Sequence, residues 1–179
     1  MKRVELFTDG ACRNNQSEEN VGGYGALLIY KGNEKEVYGG TRNTTNNIME
    51  LTGMIEGLRQ LKEKDLLVEI YSDSAYIVNA FHDHWIDGWR KNGWRTSQKK
   101  PVENRELWET LIELVESFDR VEFFKIKGHL APSDPKVKQW HEKFNQQRVV
   151  SRLEFERLLT NNQRVDALAN RGIDELEEA

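Results

Sequence analysis

Asp9, Glu50, Asp73 and Asp166 are four carboxylates spread over most of the chain, and each sits where an element of secondary structure can deliver it to one common place. Asp9 and Asp73 fall at the C-terminal ends of runs with the alternating pattern of strands, the edge at which open α/β sheets bind ligands. Glu50 lies at the margin of a helical apolar stripe and Asp166 next to apolar Val165, so helices packed on the sheet can lean both acids toward those strand ends. Carboxylates gathered this closely raise one another's pKa, a cost that bound divalent cations remove. All-oxygen ligation suits Mg²⁺, with Mn²⁺ as a substitute, better than zinc. Two such ions roughly 4 Å apart activate a water on one side of a phosphodiester and stabilise the leaving 3′ oxygen on the other. His129, in Lys127-Gly128-His129, is placed for proton transfer beside them. Taken singly, each residue has an ordinary reading: Asp9-Gly10 as a turn, Asp73-Ser74 as a helix cap, Glu50 and Asp166 as solvated helix acids, His129 as a surface or core histidine. Their joint placement carries the argument.

The elements that must position these acids are legible from periodicity. Val4 to Asp9, Tyr24 to Tyr30 and Glu36 to Thr41 read as three strands, with Lys31-Gly32-Asn33 as a hairpin turn between the last two. At Asn47 the period changes: Ile48, Leu51, Met54, Ile55, Leu58 and Leu61 recur at helical spacing behind a cap at Thr44 or Thr45. Leu66 to Ser72 is a fourth strand, and its return through a helix makes it parallel to a neighbour. Helices follow at Ser74 to Phe81 and Glu103 to Ser117, then a fifth strand at Val121 to Ile126. Beyond it come helical patterns at Val137 to Phe144, at Arg152 to Leu159 behind a Ser151-x-x-Glu154 box, and from about Asn161 past Gly172 behind a second cap signal, Thr160-x-x-Gln163. The expectation is an α/β fold: a five-stranded mixed sheet in βββαβαβα order with helices on both faces.

At 179 residues, with 37% hydrophobic and 31% charged side chains, the chain reads as one globular, soluble domain without repeats or an interdomain linker. No apolar run approaches the roughly 20 residues of a membrane helix, and Met1 to Phe7 lacks the apolar core of a signal peptide. With Cys12 as the single cysteine, a cytoplasmic location without an internal disulfide is expected, and the chain is taken as a monomer. The formal net charge of -4 is unevenly spread: Ile86 to Arg105 holds six basic residues against two acids, whereas the tail after Gly172 is acidic. One face can attract a polyanion while the whole stays acidic.

Five ordered motifs resemble type 1 ribonuclease H nearly end to end: Phe7-Thr8-Asp9-Gly10-Ala11-Cys12, Thr44-Thr45-Asn46-Asn47-Ile48-Met49-Glu50-Leu51, Ser72-Asp73-Ser74, Lys127-Gly128-His129, and Arg164-Val165-Asp166-Ala167-Leu168-Ala169. The resemblance implies a ribonuclease H-like fold whose Asp9, Glu50, Asp73 and Asp166 hold two Mg²⁺ ions, with His129 assisting turnover. It implies hydrolysis of the RNA strand of an RNA/DNA hybrid to 5′-phosphate and 3′-hydroxyl ends. Trp85, Trp89, Arg90, Lys91, Trp94, Lys99 and Lys100 look like the family's basic handle, spanning about 82 to 101; physically, indoles lie against sugars and bases while cations neutralise phosphates. Gly10, Cys12, Asn15, Thr45, Asn46 and Asn47 look like its hybrid-contacting positions, where hydrogen bonds to 2′-hydroxyls separate RNA from DNA. Helix capping is the alternative for the asparagines, and core packing for at least one tryptophan.

Two departures stand out. The loop from Arg13 to Asn20 is acidic and lacks the expected proline and glycine. The link between His129 and Asp166 is long, and its segment from about 131 to 160 carries Lys136, Lys138, Lys143, Arg148, Arg152 and Arg157. That segment reads either as a helical flap adding substrate contacts or as a surface elaboration. A DNA-cutting relative of the same fold and a non-catalytic hybrid-binding module are the competing functions.

Overall fold

The computed structural model of the chain describes residues 1–13 and 19–179. Five strands form one sheet: β1 (Lys2–Arg13), β2 (Val21–Tyr30), β3 (Asn33–Arg42), β4 (Leu66–Ser72) and β5 (Arg120–Lys125). The helices are α1 (Asn46–Arg59), α2 (Ala75–His82), α3 (Trp85–Lys91), α4 (Arg105–Ser117), α5 (Val137–Phe144) and α6 (Arg152–Glu177). The strand order is β3-β2-β1-β4-β5, with β1, β2 and β3 antiparallel and β1, β4 and β5 parallel. This is the expected five-stranded mixed sheet with helices on both faces. Among the described residues no helix is long and apolar enough to cross a membrane.

Local chemistry explains most boundaries. The β2–β3 turn needs only Lys31 and Gly32, both with positive φ (49° and 80°), because Asn33 already pairs with Tyr30. The expected three-residue turn is therefore one residue too long. The Thr45 hydroxyl caps α1 by accepting from the Ile48 N–H at 3.1 Å, and Ser74 caps α2 through Ile77.

α6 departs from expectation: one 26-residue helix replaces two. The Thr160 hydroxyl donates back to the Glu156 carbonyl at 3.0 Å, the bond of a mid-helix threonine, so the second cap signal caps nothing.

Strand alternation sorts the core into two layers. Val4, Leu6, Val68 and Ile70 face α1, α2 and α4, with Trp108 wholly buried among them. Phe7, Tyr71 and Phe124, side by side in register, face the other way and stack at 4.7 and 5.2 Å. Val137 and Phe144 of α5 and Phe155, Leu158, Leu159 and Val165 of α6 cover this aromatic row. Each such buried side chain contributes about 1.5–3 kcal/mol, so residues 131–160 build the second core rather than lie outside it.

An acidic row runs beside the aromatic one, because Glu5, Glu69 and Glu122 are also in register. Like charges on adjacent strands are destabilising unless neutralised. Arg157 reaches Glu5 at 2.6 Å, and Arg148 and Arg3 hold Glu69. Arg148 also donates to the Tyr71 hydroxyl and lies 4.6 Å from the centre of the Phe124 ring. Gln147 finishes the job at the open edge of β5, where its amide accepts from the Lys125 N–H and donates to the Lys125 carbonyl, both at 2.8 Å.

Candidate active site

The site begins where parallel pairing stops. β1 and β4 pair from Lys2–Leu66 to Phe7–Tyr71, after which β1 continues with β2 alone as far as Arg13. Asp9 is thus inside a strand, opposite Gly25, and not at the strand's end as its pattern suggests. What matters is that it lies two residues beyond its last parallel neighbour, where Asp73 emerges from β4. Glu50 arrives on α1 from the opposite face. Gly10 permits this: a Cβ there would stand 2.4 Å from the Glu50 backbone nitrogen, so only glycine lets the first turns of α1 rest on β1.

Asp9, Glu50 and Asp73 each present a carboxylate oxygen within 4.8 Å of the others. Asp9 is buried, and its carboxyl is pushed up to about 8, first by burial and then by Asp73 and Asp166. Glu50 is raised well above the usual carboxylate range by burial, Asp9 and Asp73, and its Oε2 is buried with no hydrogen-bond partner. Asp73 is raised mainly by burial; His129 is the strongest opposing influence, and a hydrogen bond from Asn162 also favours its ionised form. A side-chain hydrogen bond between Asp9 and Asp166 also raises Asp9. An orphaned buried oxygen inside an all-carboxylate set fits a divalent cation.

Asp166 projects from the middle of α6 into the same cleft, of about 500 Å³, which Gly10, Cys12, Asn46, Asn47 and His129 also line. His129 is exposed on a loop where its own φ is 55°. Thr45 is the cap of α1 and lies just outside the cleft lining. Burial raises the Cys12 thiol, which faces the Thr44 carbonyl at 3.9 Å. Asn15 lies outside the described residues.

A second groove, of about 680 Å³, runs between α2 and segment 82–101 and is lined by Trp85, Trp89 and Lys100 together with Asn47 and Tyr76. Asn47 and Tyr76 line the acidic cleft too, so the two depressions share a wall. The remaining basic residues divide. Arg90 is held by both oxygens of Glu116 on α4, at 2.9 and 2.7 Å, and Trp94 lies against Trp89 and the Arg105 guanidinium. Lys91 and Lys99 are exposed outside the groove lining.

Sequence reasoning missed Asn162, Asn170 and Tyr76. Asn162, Asp166 and Asn170 recur every four residues and so share one face of α6. Asn170 donates to the Asp166 carbonyl and accepts from Arg13. That stripe is readable in the sequence within the final helix expected from about Asn161.

Comparison with known proteins gives one answer. The RNase H family model matches residues 1–174. The ribonuclease H of Clostridium botulinum is 50% identical over 129 residues, 72% of this chain and 85% of that protein. That of Acetivibrio thermocellus is 49% identical over 129 residues, 72% and 84% of the two chains. Among solved structures, LC9-RNase H1 superposes with a TM-score of 0.71 at 24% identity, covering 98% of this chain and 74% of that one. LC11-RNase H1 in complex with an RNA/DNA hybrid gives 0.63 at 21% identity, covering 97% and 98%. At those identities the structures speak for the fold, while the sequence matches speak for descent. On both counts, and with a carboxylate centre built where β1 outruns β4, the chain belongs to the RNase H family.

Proposed function

We propose that the protein is an endonuclease that hydrolyses the RNA strand of RNA/DNA hybrids, leaving 5′-phosphate and 3′-hydroxyl ends. The observation that carries this is the convergence of Asp9, Glu50 and Asp73 within 4.8 Å in a cleft that Asp166 and His129 also line. These four acids would hold two Mg²⁺ ions, or Mn²⁺ in their place. Such ions, when bound, supply the charge that activates a water and stabilises the leaving 3′ oxygen.

The chain's own residues do the rest. The Asn162 side chain donates to the Asp73 carboxylate, which favours its ionised form and orients it. His129, on an exposed loop beside Asp73, carries a proton between the cleft and solvent. Gly10, Cys12, Asn46 and Asn47 present small or hydrogen-bonding groups to the strand in the acidic cleft, where contact with 2′-hydroxyls selects RNA, and Thr45 holds the start of the helix that carries the two asparagines. Segment 82–101 acts as a basic handle for the second strand: Trp85, Trp89 and Lys100 line its groove, Lys91 and Lys99 add positive charge, and Arg90 and Trp94 brace it against α4. The same reading takes the protein as a cytoplasmic monomer.

One assay tests the proposal: labelled hybrid, double-stranded RNA and duplex DNA, each with Mg²⁺, Mn²⁺ or EDTA. Cleavage of the hybrid's RNA strand alone, requiring metal, is expected. Cutting that persists in EDTA, or that prefers duplex DNA, sinks the reading.

A further inference from the structure

The six cations of residues 131–160 divide by chemistry. Arg148 pairs with Glu69, Arg152 with Glu156, and Arg157 with Glu5 and Glu154. Among the described residues, Lys136, Lys138 and Lys143 pair with no carboxylate, and all three are exposed. Asp134, the nearest acid before them, is engaged as acceptor for the Lys136 N–H at 2.8 Å. Arg148 and Arg157 fasten the segment to the sheet, Arg152 pairs within its own helix, and the lysines are left for something else.

Their position narrows what that is. Val137, Trp140 and Phe144 lie on one stripe of α5, which packs them onto the second core and leaves Trp140 half-buried. Over its ring stand two ammonium groups, Lys143 at 5.0 Å and Lys127 at 5.2 Å. Each is attracted by the ring quadrupole, so an anchored indole fixes where both charges sit. They are no more than about 10 Å apart, close enough to act on one stretch of backbone. Lys127 is also the residue before Gly128, and Gly128 touches Asp73: a Cβ there would stand 2.3 Å from Asp73 Oδ2. The patch therefore starts one residue before the glycine that meets Asp73 and two before His129, which lines the acidic cleft.

We propose that Lys127, Trp140 and Lys143 form a further phosphate-binding site, which grips the backbone of the strand held in the acidic cleft a few nucleotides from the cut. This rests on the hybrid-cleavage reading. A strand entering a cleft of carboxylates meets repulsion there, and two fixed cations at its margin offset that repulsion without touching the chemistry.

The test is the salt dependence of hybrid binding, by fluorescence anisotropy of a labelled RNA/DNA duplex with the 179-residue chain in EDTA, so that the duplex stays intact. The double variant Lys127→Ala/Lys143→Ala removes two exposed side chains and keeps the fold. The slope of log affinity against log salt is expected to shrink by about 2 in the double variant. Lys62→Ala, an exposed lysine after the far end of α1, is expected to leave it unchanged. Wild-type binding with an unchanged slope in the double variant overturns the patch alone, as does an equal change in Lys62→Ala. Failure of the wild type to bind the hybrid overturns the functional reading, and the patch with it.

Discussion

Gly128 and Asp73 are in contact so close that the hydrogen on the glycine Cα takes the only space a side chain could use: a Cβ would fall 2.3 Å from Asp73 Oδ2. The atom it would strike is the end of a rotatable side chain, so Gly128→Ala should move the carboxylate and not unfold the protein. A displacement of about 1 Å at a reacting centre costs on the order of 100-fold in rate. Loss of kcat of that size, with a melting temperature within a few degrees of wild type, is the expected outcome. A variant with normal kcat would show that Asp73 is not held by this contact.

Asn162 is the residue whose function the sequence hid best. It donates to Asp73 and favours the ionised carboxylate. Asn162→Ala should weaken metal binding by roughly 10-fold to 100-fold, the usual loss when a partner of a metal ligand is removed. Titration of Mg²⁺ against activity reads it, and activity should return at high Mg²⁺. Its partner was out of sight because Asp73 lies far away in sequence, whereas the cap signal at Thr160 misplaced only the start of the helix. Caps are local, whereas continuity of a helix depends on what its side chains bury, and here Asn161 and Asn162 are both buried.

Removal of metal should make stability fall with rising pH. The Asp9 carboxyl titrates at about 8 in the fold against 3.8 when free, so between those values the folded state holds a proton that the unfolded state has lost. Stability is then greatest below about pH 4 as far as this group is concerned, and is lost up to about pH 8, by no more than about 1.4 kcal/mol per pH unit. Thermal melts in EDTA from pH 5 to 8 should show the decline, and Asp9→Asn should flatten it. A wild-type curve that rises over that range instead would contradict the protonated carboxyl cluster.

Arg148→Ala leaves Glu69 buried with Arg3 as its remaining cation. Burial already holds the Glu69 carboxyl above its usual range despite both partners. Stranding such a charge costs about 3 kcal/mol, and Arg148→Ala combined with Glu69→Gln should recover most of it. Urea denaturation of the two single variants and the double variant measures the cycle. Additive losses would mean that the pair is incidental.

The basic residues of segment 82–101 should not contribute equally. Arg90 is bound by Glu116, whereas Lys100 lines the groove. Lys100→Ala should raise KM for hybrid more than Arg90→Ala, while Arg90→Ala should cost more in thermal stability. The opposite ranking would place the handle's contacts on the α4 side.

Much of the fold was legible because its signals are local. β4 and α5 have the bounds their patterns suggest, and the glycine and threonine punctuation around β3 and α1 is nearly right. Three of the four acids, Asp9, Glu50 and Asp73, converge from strands and a helix that periodicity alone could place. What periodicity could not supply was pairing. That β1 outruns β4 depends on which strands are neighbours and in what register, and no pattern within β1 records it. The role of residues 131–160 was hidden for a like reason: their partners, Glu5, Glu69 and the aromatic row, lie far away in sequence.

The continuity of α6 has a consequence for how this chain can change. At about 1.5 Å per residue its 26 residues form a strut of roughly 39 Å, anchored early by Arg157 to β1 and late by Arg13 and Tyr38 to its last turns. Asp166 rides near the middle of that strut, so its position is fixed from both ends. Trimming the chain back to the length of its shorter relatives would not shed an ornament; it would cut away one of the two bearings on which Asp166 is aligned.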